Sequence, residues 1–261
     1  MTMTQTIDGA PQIKKITDFL SSGSFDGFTS KDLFIKQIVK KGWGQEIVAL
    51  SNMAEALTNI AIQNTQKLLE CRSLLHEVVA RAMHRSVIPY NAGSLLKVKE
   101  YGKHGYYLEH MNIILGACGR CGVHDYKDIN EAISRHLVDL SMEQKNYHAP
   151  LMPHVKMRWS ADQAAIIYSV WLYDQNYNTD LHTELKHKWL SYMNHNMTHA
   201  YTGLFQTEVM RKKSYSYEPR GCALAYLIHY MSRFSRDTAT DQWEKFNQHM
   251  PAKLLGLRGY R

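Results

Sequence analysis

Two stretches of the chain hold residue types suited to proton transfer. The first is Gly105-Tyr-Tyr-Leu-Glu-His110-Met-Asn-Ile-Ile-Leu-Gly116, in which one imidazole, His110, lies inside an apolar run. The second is Ser160-Ala-Asp162-Gln163, which puts a carboxylate in the first turn of a helix. Histidine titrates near neutrality, so His110 and Asp162 facing one cavity could act as general acid and base. The plainer reading is a core histidine satisfied by one hydrogen bond, and an aspartate whose charge favours the helix dipole.

Other residues could complete such a site. Arg220 follows Pro219 and opens a helix, and its planar fork suits an anionic or hydroxyl-rich ligand. A salt bridge to Glu218 or a capping role is the structural alternative. Glu208 lies in a turn-rich segment and offers a second carboxylate, which with Asp162 across a groove would suit glycoside cleavage. Tyr90, Tyr106 and Tyr107 are candidate pocket aromatics, or core residues in helical register.

Metal and cofactor signals are weak. Cys118-Gly-Arg-Cys121 with His124 supplies three ligands and no clear fourth, so ordinary thiols are the reading. His195 and His199 share one helix face, but no HExxH arrangement surrounds them. The chain has no phosphate loop, no GxGxxG and no GxSxG. Neither a metal nor a cofactor is expected.

The elements that must position these residues are helices. Apolar residues recur at three-and-four spacing over 45–63, 65–85, 106–119 and 128–144. The same spacing continues over 161–175, 180–198, 221–233 and 236–250. Asn64-Thr65 breaks the first two. Gly122 is a C-cap candidate, Asp128 an N-cap, Ser160 to Gln163 a capping box, and Thr179 or Asp180 the next cap. Residues 86–104 and 146–158 read as loops. Residues 200–219 are turn-rich, with a short ribbon possible from Leu204 to Val209, and strong strand signals are otherwise absent.

Short turns join helices in pairs, and the first helix of each pair is the more apolar. Repeated hairpins of this kind suit a double-layered ring, with inner helices buried and outer helices wet on one side. Loops entering the inner helices would then crowd around a common cavity. The fold expected is all-α, an α/α toroid of helical hairpins.

At 261 residues, with 44% hydrophobic and 21% charged positions, the chain is neither disordered nor low-complexity. Its net charge of +7 is scattered, the densest spot being the basic run at 211–213, so no nucleic-acid partner is expected. No uninterrupted apolar run approaches the ~18 residues of a membrane span. The start, MTMTQTIDGAPQ, shows no secretion signal, and a removed leader leaves the compartment open. Four cysteines are too few for a disulfide scaffold of this size.

The segment around His110 resembles the histidine-bearing inner helix of the linalool dehydratase-isomerase family. Tyr168-Ser-Val-Trp171-Leu-Tyr-Asp174, then Asn178-Thr-Asp180 and the Trp189-Leu190 helix, resemble the next pair. Gly203-Leu204-Phe205 and Pro219-Arg220-Gly221 resemble the segment after it. The similarity spans roughly residues 45–250 and is closer to uncharacterised bacterial relatives than to the terpene enzyme. It implies an (α/α)6 toroid with a central apolar cavity and cofactor-independent acid/base chemistry. His110 matches the family histidine. Asp162 and Pro153 stand where the terpene enzyme has cysteines, so linalool itself is not the expected substrate. The chain has fewer hairpins than a closed ring, which implies an incomplete ring or a second chain that closes it.

The expectation is an N-terminal arm and first helix over 1–30 and a toroid domain over 31–261. The leading function is a lyase or isomerase acting on a small organic, apolar or hydroxylated substrate. His110 and Asp162 would be its catalytic groups, with Arg220, Glu208, Tyr107 and Tyr90 binding substrate. A carbohydrate-active toroid and a non-catalytic assembly module, with a homo-oligomer or a second chain as partner, are the alternatives. The assembly module predicts an exposed apolar edge near 240–261.

Overall fold

The structure, a computed structural model, describes residues 8–22, 45–84, 87–88, 102–153, 155–209, 219–254 and 257–260. The chain is all-α in character, with nine α-helices among the described residues. In order these are α1 (Ala10–Ser22), α2 (Gln45–Gln63), α3 (Leu68–Ala82), α4 (Gly105–Arg120) and α5 (Lys127–Met142). They continue with α6 (Ser160–Tyr177), α7 (Thr183–Asn196), α8 (Gly221–Phe234) and α9 (Arg236–His249). Strands β1 (Arg158–Trp159) and β2 (Glu208–Val209) pair antiparallel, as do β3 (Pro251–Leu254) and β4 (Leu257–Tyr260).

The chain forms two compact units. One holds residues 1–101 and 110–133, and the other holds 102–109 and 134–261. The sequence alone suggests one domain over 31–261, whereas the boundary here falls inside α4 and α5.

In the first unit, α1 packs on α2 and α3, which pack on each other. Ile47, Leu50, Met53, Leu57 and Ile60 of α2 are buried, as the three-and-four spacing requires. Asn64 accepts a hydrogen bond from the Gln66 amide and opens a 3-10 turn, Thr65–Lys67. The second helix therefore starts a turn later than residue 65. Glu46 pairs with Arg81, tying the start of α2 to the end of α3. At the end of α4, the Val123 amide bonds the Cys118 carbonyl and the Gly122 amide the Gly119 carbonyl, with Gly122 at φ +77°. This is the glycine C-cap the sequence predicts.

In the second unit, α6 packs on α8, and α8 on α9. Ala164 to Val170 are buried without interruption, so this stretch of α6 is enclosed on all sides. Its neighbour α7 buries only Leu185, Trp189 and Met193. That is the predicted contrast between an apolar first helix and a wetter second one.

Several local expectations need correction. Ser160 and Gln163 do not form a capping box. Ser160 Oγ donates to the Gln206 carbonyl, while Gln163 accepts from the Ala149 amide and donates to Ser141. Distant loop groups outbid the local cap because their buried backbone atoms need partners. The cap position of α7 is His182 rather than Thr179 or Asp180, and it has no side-chain cap bond; Asp174 of α6 accepts from the Leu181 and His182 amides in the turn before it. Asp128 sits in the first turn of α5 rather than at its cap. The β3–β4 pairing has no alternation in sequence to announce it.

Candidate active site

Asp162 is the third residue of α6. The extended residue Trp159 precedes that helix, and the Ser160 amide donates to the Thr207 carbonyl. The β1–β2 ladder sets Trp159 opposite Glu208, which fixes how the chain enters α6. The Asp162 carboxyl meets Glu109, in the second turn of α4, and both residues belong to the second unit.

Glu109 is 1% exposed, and burial, followed by the charge of Asp162, holds its carboxyl well above the usual range. Burial also pushes Asp162 up to about 7, although the hydrogen bond from Glu109 opposes that rise. The two carboxyls thus share a hydrogen bond. Asp162 retains partial exposure, so the pair is dehydrated yet not sealed. One turn before Glu109, burial and the nearby charges of Asp162 and Glu109 raise the Tyr106 phenol above its ordinary range. Tyr226 of α8 adds to that effect.

His110 follows Glu109 in α4 but belongs to the first unit. Its Nδ1 lies 2.9 Å from Ser51 Oγ, whose proton goes to the Val48 carbonyl. His110 Nδ1–H is therefore the donor to Ser51. Burial lowers this imidazole to about 3, so it is neutral at physiological pH. That environment does not match a shuttle that changes charge near neutrality.

Tyr107 is buried at 4% exposure, and Tyr90 lies outside the described residues. Arg220 and Glu208 are brought together at 3.2 Å, the arginine mostly exposed and the glutamate buried. Glu218 lies outside the described residues.

Cys118 and Cys121 are buried, and Cys121 Sγ faces Thr58 Oγ1 at 3.8 Å. Neither belongs to a metal-binding cluster among the described residues, and the same holds for His195 and His199. One cluster with ligand-like spacing is present there, formed by Asp174, Asp180 and His182. Asp174 already has several donors. Besides two backbone amides, it accepts from Thr179 Oγ1 and from His182 Nδ1 at 2.7 Å. Burial would raise this carboxyl, yet those hydrogen bonds hold it below its ordinary value. Holding the turn between α6 and α7 accounts for the cluster.

Sequence reasoning missed Glu109. A lone carboxylate in a helix that is apolar from Tyr107 to Cys118 apart from His110 and Asn112 is the signal that could have found it, because charge is rarely buried alone. It also missed His148. Its Nδ1–H donates to the Asn146 carbonyl and its Nε2 accepts from Trp189 Nε1. No helix among the described residues is long and apolar enough to cross a membrane.

No protein-family model matches the chain, and no curated protein does either.

Proposed function

We propose that the chain is a cofactor-independent lyase or isomerase that uses Glu109 and Asp162 as an acid/base pair on a small hydroxylated organic molecule. The observation that carries this reading is the hydrogen bond between the two carboxyls, whose surroundings push both above the ordinary range and apart from each other. Such a split assigns the roles. Glu109 holds a proton at neutral pH and is the acid. Asp162 is partly ionised there and is the base.

In an elimination, Glu109 gives its proton to a leaving hydroxyl while Asp162 takes one from the adjacent carbon. Water departs, a double bond remains, and the proton passes back from Asp162 to Glu109 through their shared hydrogen bond. Isomerisation uses the same groups to remove a proton at one carbon and supply it at another. The resemblance to the linalool dehydratase-isomerase family agrees with this chemistry, and the α/α-toroid layout belongs to the same reading. His110 is then a neutral histidine outside the acid/base pair rather than the shuttle.

The test is turnover of a panel of small secondary and tertiary alcohols in deuterated water, followed by NMR. The expected result is water loss or deuterium exchange that falls about 10²–10⁴-fold in Glu109→Gln and Asp162→Asn. Equal rates in these variants and the wild type would sink the assignment.

A second reading is an assembly module. It is supported by exposed apolar side chains, with Tyr226 48% and Trp243 46% exposed. Trp243 lies where the apolar edge is expected. Light scattering of wild type and Trp243→Ser decides it, the expected result being a smaller assembly in the variant.

A further inference from the structure

The second unit contains a cavity of about 650 Å³, a size suited to a small molecule. Lys103, Lys145, Lys156 and Arg158 line it, against a single acidic residue, Glu143. None of these cations forms an ion pair among the described residues. We infer that this pocket is a binding site for a small molecule bearing an oxyanion, either a carboxylate or a phosphate.

Arg158 is the central observation. Its Nε is buried and hydrogen bonds no protein group among the described residues. A buried donor left unmatched is costly, and a guanidinium keeps its charge. Burial draws this guanidinium below its ordinary value, as expected where no carboxylate offsets the lost water. An oxyanion supplies both missing elements, an acceptor for Nε and a negative charge. The guanidinium fork also fits two oxygens of one carboxylate or phosphate.

The walls are held in place before any ligand arrives. Arg158 stands opposite Val209 in the β1–β2 ladder, which fixes its backbone. The Gly105 amide donates to the Pro150 carbonyl at 3.0 Å and the Tyr106 amide to the Leu151 carbonyl at 3.2 Å. A Cβ at Gly105 would fall 2.7 Å from the Pro150 oxygen, so this close approach needs glycine. Asn146 on the rim is engaged by His148 through both its side-chain and main-chain oxygens. A preorganised rim lowers the cost of ordering on binding.

Exposed lysines are ordinarily solvated surface. Here three of them surround one cavity that also holds an unmatched buried arginine donor. The inference rests on different residues from the carboxyl pair and stands whether or not that pair is catalytic.

The experiment is calorimetric titration of the full chain at low ionic strength. Inorganic phosphate and succinate are the separate probes, with chloride as the ionic-strength control. The expected result is saturable binding of at least one probe. Arg158→Gln should weaken it by about tenfold or more, and so should the triple variant K103Q/K145Q/K156Q. The three lysines are exposed, so the triple variant keeps the fold and decides the matter if Arg158→Gln does not fold. A preference for phosphate or for succinate identifies the kind of oxyanion. Heats equal to chloride for both probes, or binding unchanged in the triple variant, would overturn the inference.

Discussion

Glu109 and Asp162 reach each other from two different helices, and burial raises both carboxyls above their ordinary range. Neither carboxyl would behave this way in water. Burial raises both, and their proximity separates them, because two like charges in one dehydrated place cannot both ionise easily. They titrate as a pair rather than as independent groups.

A buried protonated glutamate is visible without any substrate. The infrared spectrum of the folded chain at neutral pH should show a protonated carboxyl stretch that shifts in deuterated water. Glu109→Gln should remove it. Persistence of the whole band in that variant would place the proton elsewhere.

The pair also shapes stability against pH. Asp162 ionises near 4 in an unfolded chain but at about 7 when folded. Between those values the folded state holds a proton that the unfolded state has released, so this contribution to stability is lost as pH rises. Glu109, also raised, extends the loss to higher pH. Thermal melting of wild type relative to Asp162→Asn checks the sign. The wild type should compare best near pH 4 and lose ground steadily up to pH 7. A difference that is flat across this window would contradict the dehydrated carboxyl.

Buried histidines pull the other way. Burial lowers His148 to about 4 and His110 to about 3. An unfolded chain protonates both below about 6.5, so the stability they contribute is present above that value and lost as pH falls through 4 and 3. Imidazole NMR should show both rings neutral at pH 5. His148→Ala should cost about 1–3 kcal/mol, because it leaves the Trp189 indole N–H without its acceptor.

What the sequence displays well is periodicity. α4 and α6 are legible as buried helices because their apolar residues continue around the helix, and Leu108 to Leu115 and Ala164 to Val170 are buried. Gly122 is legible because an αL turn at a helix end selects glycine. What it hides is long-range pairing. Nothing local says that Gln163 serves Ala149 and Ser141, so Ser160 to Gln163 imitates a capping box. The two-residue strands β1 and β2 are too short to carry a pattern. Asp162 stands out from the chain alone, but its partner does not, since His110 draws attention from the glutamate beside it. The burial that makes Glu109 chemically distinctive, and His110 inert toward protonation, is a property of the fold.

Asp174 tests the turn-holding account of the Asp174, Asp180 and His182 cluster. If the carboxylate holds the turn between α6 and α7, Asp174→Ala should destabilise the chain by about 2–3 kcal/mol, since charged hydrogen bonds to backbone amides are lost. A chelator should leave the wild-type melting temperature unchanged. Chelator-sensitive melting would reassign the cluster to a metal.

Gly122 offers the sharpest local test of the first unit. Its φ of +77° is costly for any residue with a Cβ, by about 1–2 kcal/mol. Space adds a second cost, because a Cβ there would lie 2.6 Å from an Arg72 guanidinium nitrogen. Arg72 is not free to withdraw, since its Nε donates to the Cys121 carbonyl beside the same turn. Gly122→Ala should therefore destabilise by more than the backbone term alone. Combining it with Arg72→Ala separates the two costs. The double variant should lose less than the sum of the single losses, because removing the arginine relieves the clash but not the left-handed backbone. Additive losses would show that the arginine moves aside and that backbone conformation alone fixes glycine at the end of α4.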